Sequence, residues 1–170
     1  NYTPNSSDVH KRYSFQQQAE IGFWNLNKLA KTLVPLAGSE SLQEEIKHYQ
    51  RLFNQFYREE MGRKLGISIL DADFSQLTQE MFQFLLNHKL DYTNFFRLLA
   101  DFPEKIDKSN FDPGLHFWLD KYLKLCTRES ISHDERKKKM NAVNPKFILR
   151  SHLIQNALKK ALKDFDFSEI

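Results

Sequence analysis

Apolar residues recur at spacings of three and four along most of this chain, a helical period rather than a strand period. From about Ala19 to Leu33, the residues Ala19, Phe23, Leu26, Ala30 and Leu33 share one stripe suited to a core, and Pro35 and Gly38 close the element. Ile21 and Trp24 fall on a second face, beside Lys28 and Lys31, so this helix carries two apolar faces. Ser41, with Glu44 three residues on, has the pattern of a capping box and opens the longest helix. Its stripe runs from Leu42 through Ile46, Tyr49, Phe53 and Phe56 toward Leu65, and Gly66 is placed for a left-handed cap.

The later segments follow the same logic. A short connector, ISILDAD, precedes a helix from about Phe74 to Asn87, in which Leu77, Met81, Phe84 and Leu85 share a face. Asp91 is placed as the N-cap of a helix over Tyr92 to Ala100, and the polar stretch 101–112 follows as a loop. Asp112 before Pro113 marks another start, because the first helical position needs no N–H. Leu115, Trp118, Leu119, Tyr122, Leu123 and Cys126 then form the cleanest apolar stripe in the chain. Ser132 with Glu135 gives a second capping-box pattern and opens a basic helix, while Asn144 and Pro145 turn the chain before a last helix. The expected fold is therefore all-α: one domain over 1–170 of about seven helices, with residues 1–18 an irregular lead-in.

Composition agrees with that pattern. Five Gly and five Pro leave long uninterrupted segments, and fifteen Phe, two Trp and six Tyr supply the apolar bulk. No run approaches the ~20 apolar residues needed to cross a bilayer, which argues against a membrane partner. The single Cys126 closes no disulfide within the chain, and no signal-peptide order precedes residue 25, so a reducing, cytoplasmic setting is expected. The first residue is Asn rather than Met, which points to a piece of a longer protein.

Charge is uneven. Residues 128–163 hold ten Lys or Arg against three acidic residues, a net of +7, whereas 1–127 come to −1 and 164–170 to −3. Such a run can meet phosphates. It lacks the interleaved exposed aromatics of single-strand binders and the total is only +3, so a solvated basic face is the better account and nucleic acid is not the expected partner. A free-standing helical interaction module with this basic surface is the alternative function.

The search for chemistry within the chain assigns no catalytic residue. The glycines are scattered, so no phosphate-cradling loop forms, and six dispersed His with one Cys give no metal-ligand spacing. Cys126 falls on an apolar stripe, where a thiol acts as a small hydrophobe.

Three ordered segments carry a resemblance. Residues 12–26 read RYSFQQQAEIGFWNL, in which Arg12, Tyr13, Phe15, Gln18, Ile21, Trp24, Asn25 and Leu26 keep the pattern R-Y-x-F-x-N-Q-P-x-I-x-x-W-N-L, while Gln17 and Ala19 depart from it. DYTNFFR follows, with Asp91, Tyr92, Thr93 and Arg97. NPKFILRSHLIQNAL from Asn144 keeps Pro145, Leu149, Arg150, Leu153, Gln155 and Ala157 of a third pattern, but has Ser151 for Asn and Leu158 for Ile. Together they resemble the C-terminal region of the selenoprotein O (SelO) family, protein-kinase-like enzymes that transfer AMP from ATP to protein hydroxyls.

The resemblance implies the C-terminal helical part of a kinase-like fold, inactive by itself. ATP and Mg2+ or Mn2+ would serve the parent protein and not this piece, because the family's nucleotide-gripping and metal-binding residues lie upstream of the position matching Asn1. The implied partners are that missing N-terminal catalytic region and the parent's protein substrates. Arg12, Tyr13 and Gln18 are the residues nearest in expectation to the nucleotide side. Ile21, Trp24 and Asn25 are the expected docking face toward the missing lobe.

Overall fold

The computed structural model describes residues 7–14 and 17–169. Phe15 and Gln16 of the first motif lie outside the described residues, as do positions 1–6. Among the described residues the fold is all-α, as the periodicity predicts: α1 (Gln18–Ala37), α2 (Ser39–Leu65), α3 (Ala72–Asn87), α4 (Tyr92–Asp101), α5 (His116–Cys126), α6 (His133–Val143) and α7 (Ser151–Asp164). The backbone groups into two compact units, residues 1–58 and 59–170, and α2 contributes to both.

In the first unit, α1 passes into α2 through the single residue Gly38, whose φ of 78° is a conformation L-residues avoid. Gly38 N–H donates to the Val34 carbonyl at 3.0 Å, closing α1. Two boundary expectations change here. Pro35 does not close α1 but lies inside it, without an N–H to reach the Lys31 carbonyl, and the helix runs two residues further. Ser41 is not a cap: Gly38 turns the chain so sharply that α2 restarts at Ser39. The expected core stripe of α1 also differs, since α1 contains no buried residue; Ala19, Phe23, Leu26 and Ala30 are half-buried and Leu33 is exposed. An apolar stripe specifies a face, not the partner that covers it.

The second unit holds the described core. Its centre is α5, with Trp118, Leu119, Tyr122, Leu125 and Cys126 buried, packed on α3 through Phe74, Leu77, Met81 and Leu85. Leu123, placed on the α5 stripe by its spacing, is only half-buried, and Leu125 takes the buried position instead. Trp118 Nε1 donates to the Leu77 carbonyl at 2.8 Å, so the indole is buried without losing a hydrogen bond. α4 packs on α6 and adds Phe95, Phe96, Leu99 and Ala100.

Caps fix the ends of these helices. Asp91 accepts from Asn94 N–H at 2.9 Å, as its position predicts. Ser132 accepts from Glu135 N–H at 3.2 Å, but the Glu135 carboxylate bonds Lys139 at 2.8 Å instead of completing the box. A full capping box does form at Asp107 and Asn110, within the stretch expected to be a loop. Asp112 and Pro113 open a 3₁₀ turn that leads into α5.

Candidate functional site

Local sequence accounts for the geometry of the first motif. The Asp8 carboxylate accepts from the N–H groups of Arg12 (2.9 Å) and Tyr13 (2.7 Å), folding the chain into a turn ahead of α1. Gln18 Nε2 donates back to the Tyr13 carbonyl at 2.8 Å. The turn sets the Arg12 guanidinium 4.3 Å from the Trp24 ring centre and 5.6 Å from that of Tyr13, and Lys28 Nζ lies 5.0 Å from the same indole. Each such contact is worth about 0.5–1 kcal/mol at an exposed site. Trp24 nevertheless remains 43% exposed, with Ile21 half-buried and Asn25 exposed on the same helix.

The second and third motifs meet in the second unit. Arg150, the residue just before α7, forms an ion pair with Asp91 at 2.6 Å, joining positions 59 apart in the chain. The Arg150 guanidinium beside Asp91 holds its carboxyl below the usual carboxylate range, and the Asn94 N–H adds to that effect. Arg97 donates to the Asn144 carbonyl at 3.2 Å. Asn144 is buried: its Nδ2 donates to the Lys64 carbonyl at 2.8 Å and its Oδ1 accepts from Lys64 Nζ at 3.0 Å. The Lys64 ammonium also lies 5.4 Å from the Tyr92 ring centre and 4.9 Å from that of Phe96. Burial lowers its pKa, with Glu60 opposing. Thr93 is half-buried on the first turn of α4, and Pro145 is exposed where α6 has ended.

This junction also finishes α2. Gly66, at φ 67°, donates to Arg63, and Ile67 donates to Gly62, a Schellman pair that satisfies two end carbonyls. Asn144 takes the Lys64 carbonyl, and the Tyr122 hydroxyl donates to that of Leu65 at 2.9 Å. A Cβ at Gly66 would come within 2.4 Å of Arg136 Cγ, so only glycine fits.

Chemically, the charged residues of the second and third motifs are engaged within the junction. Asp91 caps a helix and pairs with an arginine, so it is no free base; Arg97 and Lys64 hold a buried amide. Among the described residues no group of His, Cys, Asp and Glu could hold a metal ion. Two surface grooves, of about 220 Å3 between α3 and α5 and about 280 Å3 beside the end of α2, are lined by none of the motif residues. Burial raises the Cys126 thiol, which suits a core residue and not a nucleophile. Lys64 is the member of the junction that the sequence did not reveal, because a lysine in the last turn of a helix has an ordinary explanation in the helix dipole.

The chain's sequence matches the family model described as protein adenylyltransferase SelO over residues 1–170. It is 36% identical to the protein nucleotidyltransferase YdiU of Aliivibrio fischeri strain MJ11, covering 99% of this chain and 36% of that protein. It is 38% identical to the YdiU of Vibrio atlanticus strain LGP32, over 92% of this chain and 33% of that protein. The YdiU of Pseudomonas fluorescens strain SBW25 is 35% identical over 98% of this chain and 35% of its own length. The chain thus spans about a third of the length of the curated relatives it matches. With the second and third motifs joined as described and a match from end to end, the chain belongs to the SelO family.

Proposed function

We propose that this chain is the C-terminal helical region of a protein adenylyltransferase that moves AMP from ATP onto protein hydroxyls. In this reading the region supplies scaffold and docking surface, and the nucleotide and its divalent metal are held by the part of the protein outside residues 1–170. The observation that carries it is the pairing of the second and third motifs with one another: Asp91 in an ion pair with Arg150, and Arg97 hydrogen-bonded to Asn144, which Lys64 also holds. Groups already paired in this way position helices, and Asp91 in particular is not free to act as a base in nucleotidyl transfer. The half-exposed Ile21 and Trp24, with Asn25, form the face of α1 that docks on the catalytic region.

The basic run supports scaffold over nucleic-acid binding. Of its ten cations, Arg128, Lys137, Lys139, Arg150 and Lys160 are ion-paired and Arg136 is buried. No helix among the described residues is long and apolar enough to cross a membrane.

The test is a thermal-shift titration of the 170-residue chain with ATP and Mg2+, alongside AMP transfer by the full gene product. The chain should show no nucleotide shift and the full product should modify protein. A clear Mg2+-dependent ATP shift in the chain alone would place a nucleotide site here and overturn the assignment.

A further inference from the structure

We propose that α7 is a docking helix whose apolar half is covered by the part of the parent protein outside residues 1–170, an inference that rests on the adenylyltransferase reading above. At 100° per residue, Leu153, Ala157, Ala161, Ile154, Leu158 and Leu162 occupy one half of the helix circumference, and Gln155, Lys159 and Lys163 lie on the other. A face so patterned is normally buried. Here Leu153 is 47% exposed, Ile154 41%, Leu158 49% and Leu162 78%, and Phe147 before the helix and Phe165 after it are each 81% exposed. Only the small Ala161 is buried. From Leu153 to Leu162 this apolar strip runs roughly 15 Å along the helix, and contiguous exposed apolar surface rimmed by polar residues marks an interaction site.

The strip is held in place rather than loose. Arg150, at the root of α7, is ion-paired to Asp91 at 2.6 Å, and Arg97 holds the Asn144 carbonyl just before it. A motif junction therefore fixes where the helix starts and which way the chain leaves the core.

Three observations select the occupant. About two thirds of the length of the curated relatives lies outside the region this chain matches, so a large protein surface is at hand. Charge gives an anionic membrane no hold: Lys159, Lys160 and Lys163 are balanced by Asp164, Asp166 and Glu169, and Lys160 is paired with Glu169. The width of the face argues against a second copy, because a two-helix seam uses a narrow stripe whereas half a circumference fits a broad protein interior.

The experiment uses the full gene product. A photo-crosslinking phenylalanine analogue replaces Leu158 or Leu162 in turn, with Gln155 on the polar half as control, and crosslinked peptides are mapped by mass spectrometry while AMP transfer is assayed on the unsubstituted protein. Crosslinks from 158 and 162, at least fivefold above those from 155, should join residues outside 1–170 of the same polypeptide. Crosslinks between two copies, yields no greater than the control, or protection of 158 and 162 by anionic vesicles would overturn the proposal. Loss of the adenylyltransferase reading is seen separately, as absence of AMP transfer, and leaves the crosslink map to decide the occupant of α7.

Discussion

α1 and α5 have similar patterns and different fates. Both show apolar residues at helical spacing, yet α5 buries five side chains and α1 buries none. The difference lies in the neighbours: α5 sits against α3 and the 3₁₀ turn at Pro113, while the half-buried stripe of α1 finds in its own unit only partial cover. Within that unit, Gly22 approaches the Tyr49 hydroxyl closely enough that an added Cβ would lie 3.5 Å away. Amphipathicity thus marks a face suited to burial, and the neighbours packed against it decide how far it is buried.

Truncating one residue on each helix tests that contrast most strongly. Leu119→Ala, at a site with no exposure, should cost about 2–5 kcal/mol in urea unfolding. Leu33→Ala, 36% exposed on α1, should cost no more than about 0.5 kcal/mol. Equal losses would mean that the two helices are equally covered.

The two glycines of positive φ sharpen the comparison. Gly66→Ala meets both strain and the side chains of Arg136 and Met140, and should destabilise by about 1–3 kcal/mol or more. Gly38→Ala has nothing within 4 Å, so it should lose only the backbone term, about 1–3 kcal/mol for its φ of 78° and ψ of 153°. A larger loss at Gly38 would show that its surroundings are crowded.

At the motif junction, Asn144→Ala strands the Lys64 carbonyl and ammonium and should cost about 1–3 kcal/mol in thermal unfolding. Arg150→Ala, which removes a partly exposed ion pair, should cost about 0.2–1 kcal/mol. If Arg150 matters more than Asn144 to the stability of the isolated chain, the junction is organised by charge and not by the buried amide.

The smallest effect is one of pH. Hydrogen bonds from Arg150, Arg128 and Lys121 lower the pKa values of Asp91, Asp71 and Glu80. Unfolded carboxyls titrate near pH ~4. The stability these groups contribute is therefore fully present above that value and is lost as pH falls through the lower folded values. Arg150→Ala should be less stable than the parent chain at pH 7, with the gap closing below pH ~4. A gap independent of pH would exclude the Asp91 pairing as its source.

Much of the fold was legible because helix ends are written locally. Asp91, Gly66, Ser132 and the Asp112–Pro113 pair announce their turns within three or four residues, and each acts at the predicted place. Ser41 misled because the neighbouring Gly38 offered an earlier restart. The site was legible only as three separate motifs. The meeting of the second and third depends on contacts 47 to 80 residues apart, and no local spacing encodes the reach of Lys64 to Asn144. Glu129 was hidden for the same reason, since it accepts from Ser68 and Ile69 N–H groups some 60 positions away.

The two tryptophans of the chain fall one in each unit, and their settings differ. Trp118 is stacked on Tyr122 at 5.6 Å in the core, and Trp24 stands half in solvent under two cations. The chain consequently carries its own pair of optical reporters. Quenching of the long-wavelength emission by iodide follows the exposed face of α1, while the short-wavelength emission of the buried indole registers the integrity of the core, and neither requires a label.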